Sequence, residues 1–344
     1  MNKKIKVLIV DDSAFIRMLM TQILEQDSQL DVVGTAADPY EAREKIKKHN
    51  PDVLTLDIEM PKMDGVTFLK NIMRLRPMPV VMVSTLTLQG AEIADIALQL
   101  GAVDFVAKPK ADVRNNLIKM SQELIEKVKI AANCNTAALD TKQYLEQTVL
   151  PLSNKTTLID IIALGASTGG TEAIQSILRQ LPRGMPPIVM VQHIPDVFST
   201  SYAKRLDNHC ELKVTEVRQA QKLKSGHAYL APGHRHMKVV KKNNELWAEL
   251  SNGDACHHHK PAVDVLFQSI AQIPEVGCIA ALLTGMGQDG AQGLLQLRQS
   301  GAETLVQDEQ SSVVWGMPGA AVKKGGVQKV IPLREIPEYL LKRL

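Results

Sequence analysis

The sequence predicts an α/β protein built as two parallel-sheet domains, the second carrying a β-hairpin insertion. Three observations predict this. The chain has 344 residues, and at roughly 100 to 200 residues per domain that length favours two cores over one. Short β-branched runs alternate with longer amphipathic stretches from Ile5 onward, the rhythm of repeated βα units. A shift in composition then separates this series from a second one.

In order, Val7 to Val10, Val32 to Gly34, Val53 to Leu56, Val80 to Ser84 and Val103 to Ala107 read as five strands of a mainly parallel sheet. From about Val113 to Ile130, Leu117, Ile118, Leu124, Ile125 and Val128 recur at helical spacing and close the first domain, residues 1–131. The tract Ala131-Ala132-Asn133-Cys134-Asn135-Thr136, continuing past Pro151, reads as a linker over 132–155. The second domain, 156–344, resumes with strands at Leu158 to Leu164, Ile188 to Val191, Cys278 to Leu283 and Glu303 to Val306. Helical patterns fall near Thr171 to Arg179, Val263 to Ile270 and Gly290 to Gln299. Between Leu212 and Leu250, short strands and polar turns such as Lys242-Asn243-Asn244 read as an antiparallel insertion.

Composition excludes several classes. Hydrophobic residues at 45% and charged residues at 22% are ordinary globular values, against disorder or a fibrous repeat. A net charge of +3 gives no reason to expect nucleic acid or an acidic membrane as partner. Four cysteines, Cys134, Cys210, Cys256 and Cys278, show no CxxC spacing, which fits a reducing compartment. No signal peptide is read at the N-terminus, and no window approaches the roughly 18 uninterrupted apolar residues of a membrane span. A cytoplasmic location is therefore expected, without membrane insertion.

Chemistry concentrates at predicted strand ends. Asp11 and Asp12 follow the first strand, Asp57 ends the third, Ser84 the fourth with Thr85 next, and Lys108 with Pro109 follows the fifth. Ligands of an open parallel sheet bind at the carboxyl ends of its strands, so these groups converge on one pocket. Packed carboxylates repel one another unless a hard cation such as Mg²⁺ holds them. A carboxylate beside Mg²⁺, a hydroxyl and an ammonium can accept a phosphoryl group, because the two cations neutralise its oxygens. Any one of these acids alone would pass for a helix cap.

In the second domain, Gly165-Ala166-Ser167-Thr168-Gly169-Gly170 follows a strand and opens a helix. A dinucleotide fingerprint would need GxGxxG and an acid about 20 residues later, and Ser167 occupies the third position instead. Ser167 as nucleophile, His193 after the next strand as base, and Asp289 in Gly285-Met286-Gly287-Gln288-Asp289-Gly290 as orienting acid suffice for a triad. Backbone N–H groups near Thr168 and Met286 are candidates for binding an oxyanion. The order Ser, His, Asp is not that of the α/β-hydrolases, so the triad sits on a different fold. His257-His258-His259 lacks the i, i+4 geometry of a helical metal site, and a polar rim or substrate-contact loop is expected there.

Two resemblances follow from these motifs. Asp11-Asp12-Ser13, Asp57-Ile58-Glu59-Met60-Pro61, Met63-Asp64-Gly65 and Ala107-Lys108-Pro109 resemble a response-regulator receiver, whose fold is flavodoxin-like. That resemblance implies Asp57 as phospho-acceptor, Asp11, Asp12 and Asp57 as Mg²⁺ carboxylates, Lys108 as phosphate partner, and Ser84 and Phe105 as switch residues. Ala166-Ser167-Thr168-Gly169-Gly170, Gln192-His193-Ile194-Pro195, Tyr229-Leu230-Ala231-Pro232-Gly233, Pro261-Ala262-Val263-Asp264 and Trp315-Gly316-Met317-Pro318 resemble the chemotaxis protein-glutamate methylesterases of CheB type. The combination implies a phosphorylation-activated serine hydrolase that cleaves glutamate methyl esters and deamidates certain glutamines on chemoreceptors. It further implies a chemotaxis histidine kinase as phosphodonor, and no cofactor in the catalytic domain.

Overall fold

The computed structural model describes residues 3–84, 87–108, 114–139, 149–151 and 158–344. The chain divides into two compact units, Met1–Thr141 and Lys142–Leu344.

In the first unit, β1 (Ile5–Val10), β2 (Leu30–Ala36), β3 (Val53–Asp57), β4 (Val80–Ser84) and β5 (Asp104–Ala107) form a parallel sheet of order β2-β1-β3-β4-β5. All of β3 is buried, as is β1 from Val7 to Val10, because helices cover both faces. The chain leaves β1 toward β2 and returns on the other side to β3, so the sheet opens a crevice at the carboxyl ends of β1 and β3. That crevice receives Asp11, Asp12 and Asp57. Helices start where the sequence supplies caps: Ser13 accepts from the N–H of Ile16, Asp38 from Tyr40 and Glu41, and Asp64 from Thr67. The closing helix runs Arg114–Ala132.

The second unit holds β6 (Ile161–Ala166), β7 (Ile188–Gln192), β8 (Lys213–Glu216), β9 (Gln221–Lys222), β10 (His227–Leu230), β11 (His236–Lys242), β12 (Glu245–Ser251), β13 (Cys278–Leu282), β14 (Glu303–Gln307) and β15 (Lys329–Ile331). Seven of these form a second parallel sheet of order β15-β14-β13-β6-β7-β10-β8. Its central strands β6, β7 and β13 are buried throughout. Only part of the stretch from Leu212 to Leu250 is the expected antiparallel insertion. β9, β11 and β12 form that small sheet, with Asn243 and Asn244 at positive φ in the β11–β12 turn, whereas β8 and β10 extend the parallel sheet. Their brevity, four residues each, hid which sheet they join.

From β6 the chain moves outward through β7, then returns on the other flank to β13 and β14. The second crevice therefore lies between the ends of β6 and β13, where Ser167 and the Asp289 loop emerge. A helix absent from the sequence reading, Asp196–His209, buries Phe198, Tyr202, Arg205 and Leu206. Tyr202 Oη donates to the carbonyl of Thr171 at 2.9 Å, and Arg205 binds Glu172 and Gln175, clamping the helix Gly170–Leu178 that follows the serine.

Candidate active site

β6 ends at Ala166, and the backbone must turn sharply to start the helix at Gly170. Gly169 makes the turn with φ of 76°, a conformation that favours glycine. Ser167 is left at the sheet edge, its N–H donating to the Thr284 carbonyl at 3.0 Å and its carbonyl accepting from the Gly170 N–H at 2.7 Å. Gly285 lies against it so closely that a Cβ there would stand 2.7 Å from Ser167 Cβ and 2.4 Å from Met317 Sδ. No side chain fits at position 285.

Ser167 Oγ lies 3.2 Å from His193 Nδ1, and His193 Nε2 lies 2.8 Å from Asp289 Oδ2. The network assigns the tautomer with hydrogen on Nε2: Nε2–H donates to the carboxylate, and the Nδ1 lone pair accepts from the serine hydroxyl. The ring nitrogens are used in the reverse sense of the serine-protease template, with the same division of labour. Asp289 is held by more than the imidazole. Its Oδ2 accepts from the Val263 N–H at 2.7 Å, and its Oδ1 accepts from Asp264 and Gly290 at 2.9 Å each. Val263 and Asp264 open the helix Val263–Ala271, so the carboxylate sits on otherwise unmatched N-terminal donors. Burial pushes Asp289 upward, but His193 and these backbone donors outweigh it and hold the carboxyl below its usual range.

Three residues outside the predicted triad complete the setting. Gln192 Nε2 donates to the carbonyls of Ser167 at 2.8 Å and His193 at 3.2 Å, tying the two loops together. His259 stacks on His193 with ring centroids 3.8 Å apart. Asp264, buried beside Asp289, accepts from the Gly293 N–H at 2.6 Å and pairs with His257 Nε2 at 3.0 Å. Burial first, and then the charge of Asp289, raise the Asp264 carboxyl above its usual range despite those partners. A polar residue closing an otherwise apolar strand was the available signal for Gln192, and an acid in the first helical turn the signal for Asp264. The consecutive histidines thus diverge: His259 joins the triad, while His257 turns to Asp264.

Of the oxyanion candidates, Thr168 is buried, its carbonyl accepting from Thr284 Oγ1 at 3.0 Å. Met286 is 44% exposed, on a turn pinned by Gly285, whose N–H donates to Val314 and whose carbonyl accepts from Gly316 and Met317.

The acidic pocket of the first unit is built differently. Lys108 Nζ lies 2.7 Å from Asp57 Oδ2 and 3.1 Å from Asp11 Oδ2. Asp11, Asp12 and Asp57 each offer a ligand oxygen, all within 4.8 Å of one another. An all-carboxylate set suits a hard cation such as Mg²⁺. One ammonium faces two buried acids. Burial accordingly raises Asp57 to about 6, with the Asp11 charge adding and Lys108 opposing. Lys108, which burial would lower, is raised by its two acidic partners. Phe105 is buried, with Lys127 Nζ 5.1 Å from its ring centroid and donating to its carbonyl at 2.6 Å. Ser84 ends β4, but its side chain, like Thr85 and Pro109, lies outside the described residues.

Fold and sites together define a receiver domain joined to an α/β unit organised around a Ser-His-Asp constellation. Residues 162–340 match the CheB methylesterase family and residues 7–122 the response regulator receiver domain. The chain is 50% identical over 345 residues to the protein-glutamate methylesterase/protein-glutamine glutaminase 1 of Xanthomonas euvesicatoria pv. vesicatoria, covering 98% of this chain and 96% of that protein. It is 49% identical over 342 residues to the corresponding protein 2 of Vibrio vulnificus, covering 99% and 98%. The crystal structure of the Thermotoga maritima CheB methylesterase catalytic domain matches with a TM-score of 0.53 and 35% identity, over 54% of this chain and 99% of that domain. The chain belongs to the CheB-type family of protein-glutamate methylesterase/protein-glutamine glutaminases.

Proposed function

We propose that this chain hydrolyses glutamate methyl esters, and deamidates certain glutamines, on methyl-accepting chemoreceptors, under control of phosphorylation at Asp57. The observation that carries the proposal is the unbroken relay Ser167 Oγ, His193 Nδ1, His193 Nε2 and Asp289 Oδ2 at hydrogen-bond spacing. Ser167 attacks the ester carbonyl while His193 takes its proton at Nδ1. Asp289, held ionised by His193 and its backbone donors, stabilises the resulting imidazolium. The oxyanion is bound by backbone N–H groups at Thr168 and Met286. His193 returns the proton to the departing methanol, or to ammonia from a glutamine, and water then releases the acyl-enzyme. No cofactor takes part in this unit.

In the receiver, Asp57 is the phospho-acceptor, and Asp11, Asp12 and Asp57 would hold Mg²⁺, which supplies charge neutralisation for phosphoryl transfer. Lys108 neutralises the incoming phosphate, while Ser84 and Phe105 transmit the change. The phosphodonor is a chemotaxis histidine kinase. The domain division is 1–131, 132–155 as linker and 156–344. Among the described residues no helix is long and apolar enough to cross a membrane, and we assign the protein to the cytoplasm, acting on receptors from that side without inserting. The test is methanol release from methylated receptor membranes, with and without a phosphodonor. Release stimulated by the phosphodonor is expected, and a lack of methanol under both conditions would overturn the proposal.

A further inference from the structure

Beside the triad lies a second cluster that shares Asp289 with it and whose other three members, Cys256, His257 and Asp264, ester hydrolysis leaves unused. Cys256, His257, Asp264 and Asp289 each bring one ligand atom, and all four atoms lie within 4.8 Å of one another. The loop bearing the first two is pinned as a tight reversal: the Cys256 N–H donates to the His259 carbonyl at 3.1 Å, and the His259 N–H donates back at 2.9 Å. Its two central residues, His257 and His258, take positive φ of 50° and 67°. That reversal directs His257 Nε2 onto Asp264 Oδ2 at 3.0 Å.

We infer that these four residues form a binding site for a soft divalent cation of the zinc class, and that its occupation withdraws Asp289 from His193 and stops hydrolysis. The donor set of one thiolate sulfur, one imidazole nitrogen and two carboxylate oxygens suits zinc, unlike the all-oxygen pocket of the receiver. With metal–ligand bonds of about 2.0 to 2.3 Å, donors of a tetrahedral shell stand roughly 3.3 to 3.8 Å apart, so the cluster needs to contract by about 1 Å at its widest. The carboxylates are already oriented from behind. Asp264 is held by the Gly293 N–H, and Asp289 by Val263, Asp264 and Gly290, as outer-shell partners orient metal ligands. Two buried acids side by side also present negative charge that a dication would neutralise. Access is provided by Cys256, which is partly exposed, and His257, whose side chain is 35% exposed. On binding, the Cys256 thiol gives its proton to solvent and His257 coordinates as the neutral ring.

The inhibitory half rests on the proposed role of Asp289 in the triad; the binding half does not. The test uses the full chain with Co²⁺ as a spectroscopic stand-in for zinc, in excess Mg²⁺ to fill the receiver. A thiolate-to-cobalt charge-transfer band is expected, reversed by a chelator and displaced by Zn²⁺. Cys256→Ser should remove it and His257→Gln should weaken it, with folding checked by circular dichroism. In parallel, Zn²⁺ should inhibit methanol release reversibly. Each variant, compared with its own metal-free rate, should need about tenfold or more Zn²⁺ for half-inhibition. Absence of the band in the unaltered chain, or its persistence in Cys256→Ser, overturns the site. A band accompanied by zinc-insensitive hydrolysis overturns the inhibitory coupling. A band in a chain that hydrolyses no methyl ester under any condition leaves the metal site standing and rejects the proposed function instead.

Discussion

Asp57, at the end of β3, and Asp289, on the loop that follows β13, are both buried carboxylates, yet the protein treats them in opposite ways. Asp289 receives three backbone N–H groups and an imidazole, and its carboxyl is held low. Asp57 shares one lysine with Asp11, receives a single backbone N–H from Glu59 at 3.3 Å, and is raised to about 6. Burial alone does not decide a carboxylate's state; the number of donors aimed at it does. A saturated carboxylate serves as a fixed charge, and an under-compensated one has spare oxygens for a cation and a phosphoryl group.

The largest expected effect lies at the saturated site. Ser167→Ala or His193→Ala should each lower turnover by roughly 10⁴- to 10⁶-fold, with Asp289→Asn milder, as for groups acting as one unit. Methanol release under phosphodonor measures this. A small loss in Asp289→Asn would break the comparison, because a saturated carboxylate would then have no catalytic consequence.

The under-compensated site makes a prediction about stability. With a folded pKa of about 6 against an ordinary 3.8, the contribution of Asp57 is complete below about pH 4 and lost as pH rises through 6. Above that the folded state bears a cost of about 3 kcal/mol from the buried charge. In metal-free buffer, denaturant titrations should show Asp57→Asn gaining more stability over the unaltered chain at pH 7.5 than at pH 4. Equal differences at the two pH values would contradict the account of Asp57.

Control should be smaller still. Phosphodonor is expected to stimulate hydrolysis within the range of typical allosteric couplings, about 1 to 3 kcal/mol or roughly 5- to 150-fold. Asp57→Asn should abolish that response, as should deletion of residues 1–155, and a response persisting in Asp57→Asn would remove the phospho-acceptor assignment. The smallest effect belongs to Gln192, whose side-chain amide donates to two backbone carbonyls. Gln192→Leu should cost about 1 to 2 kcal/mol of transition-state stabilisation, the value of its hydrogen bonds, read as a fall in kcat with little change in KM.

Legibility in the sequence divides along the same physical line. Asp11, Asp12, Asp57, Lys108, Ser167 and His193 could be placed because each follows a β-branched run, and the end of a parallel strand is a location that local pattern discloses. Asp289 stands seven residues beyond the end of β13, and motif and chain order, more than strand position, pointed to it. Local signals marked Gln192, Asp264 and His259 as polar positions but not their place beside the triad, which comes from contacts across 25, 25 and 66 residues of chain. The helix Asp196–His209 escaped because its buried face includes Tyr202 and Arg205, whose polar ends bond to the neighbouring helix Gly170–Leu178. The short strands β8 and β10 carry no signal of which sheet will pair them.

The central claim is that Ser167, His193 and Asp289 act as one relay, and a double-mutant cycle on hydrolysis tests it most directly. Methanol release would be measured for Ser167→Ala, His193→Ala and the combined variant under identical phosphodonor. The account predicts a combined variant little slower than either single one, because removing one member already disables the unit. A combined loss equal to the product of the two single losses would contradict it.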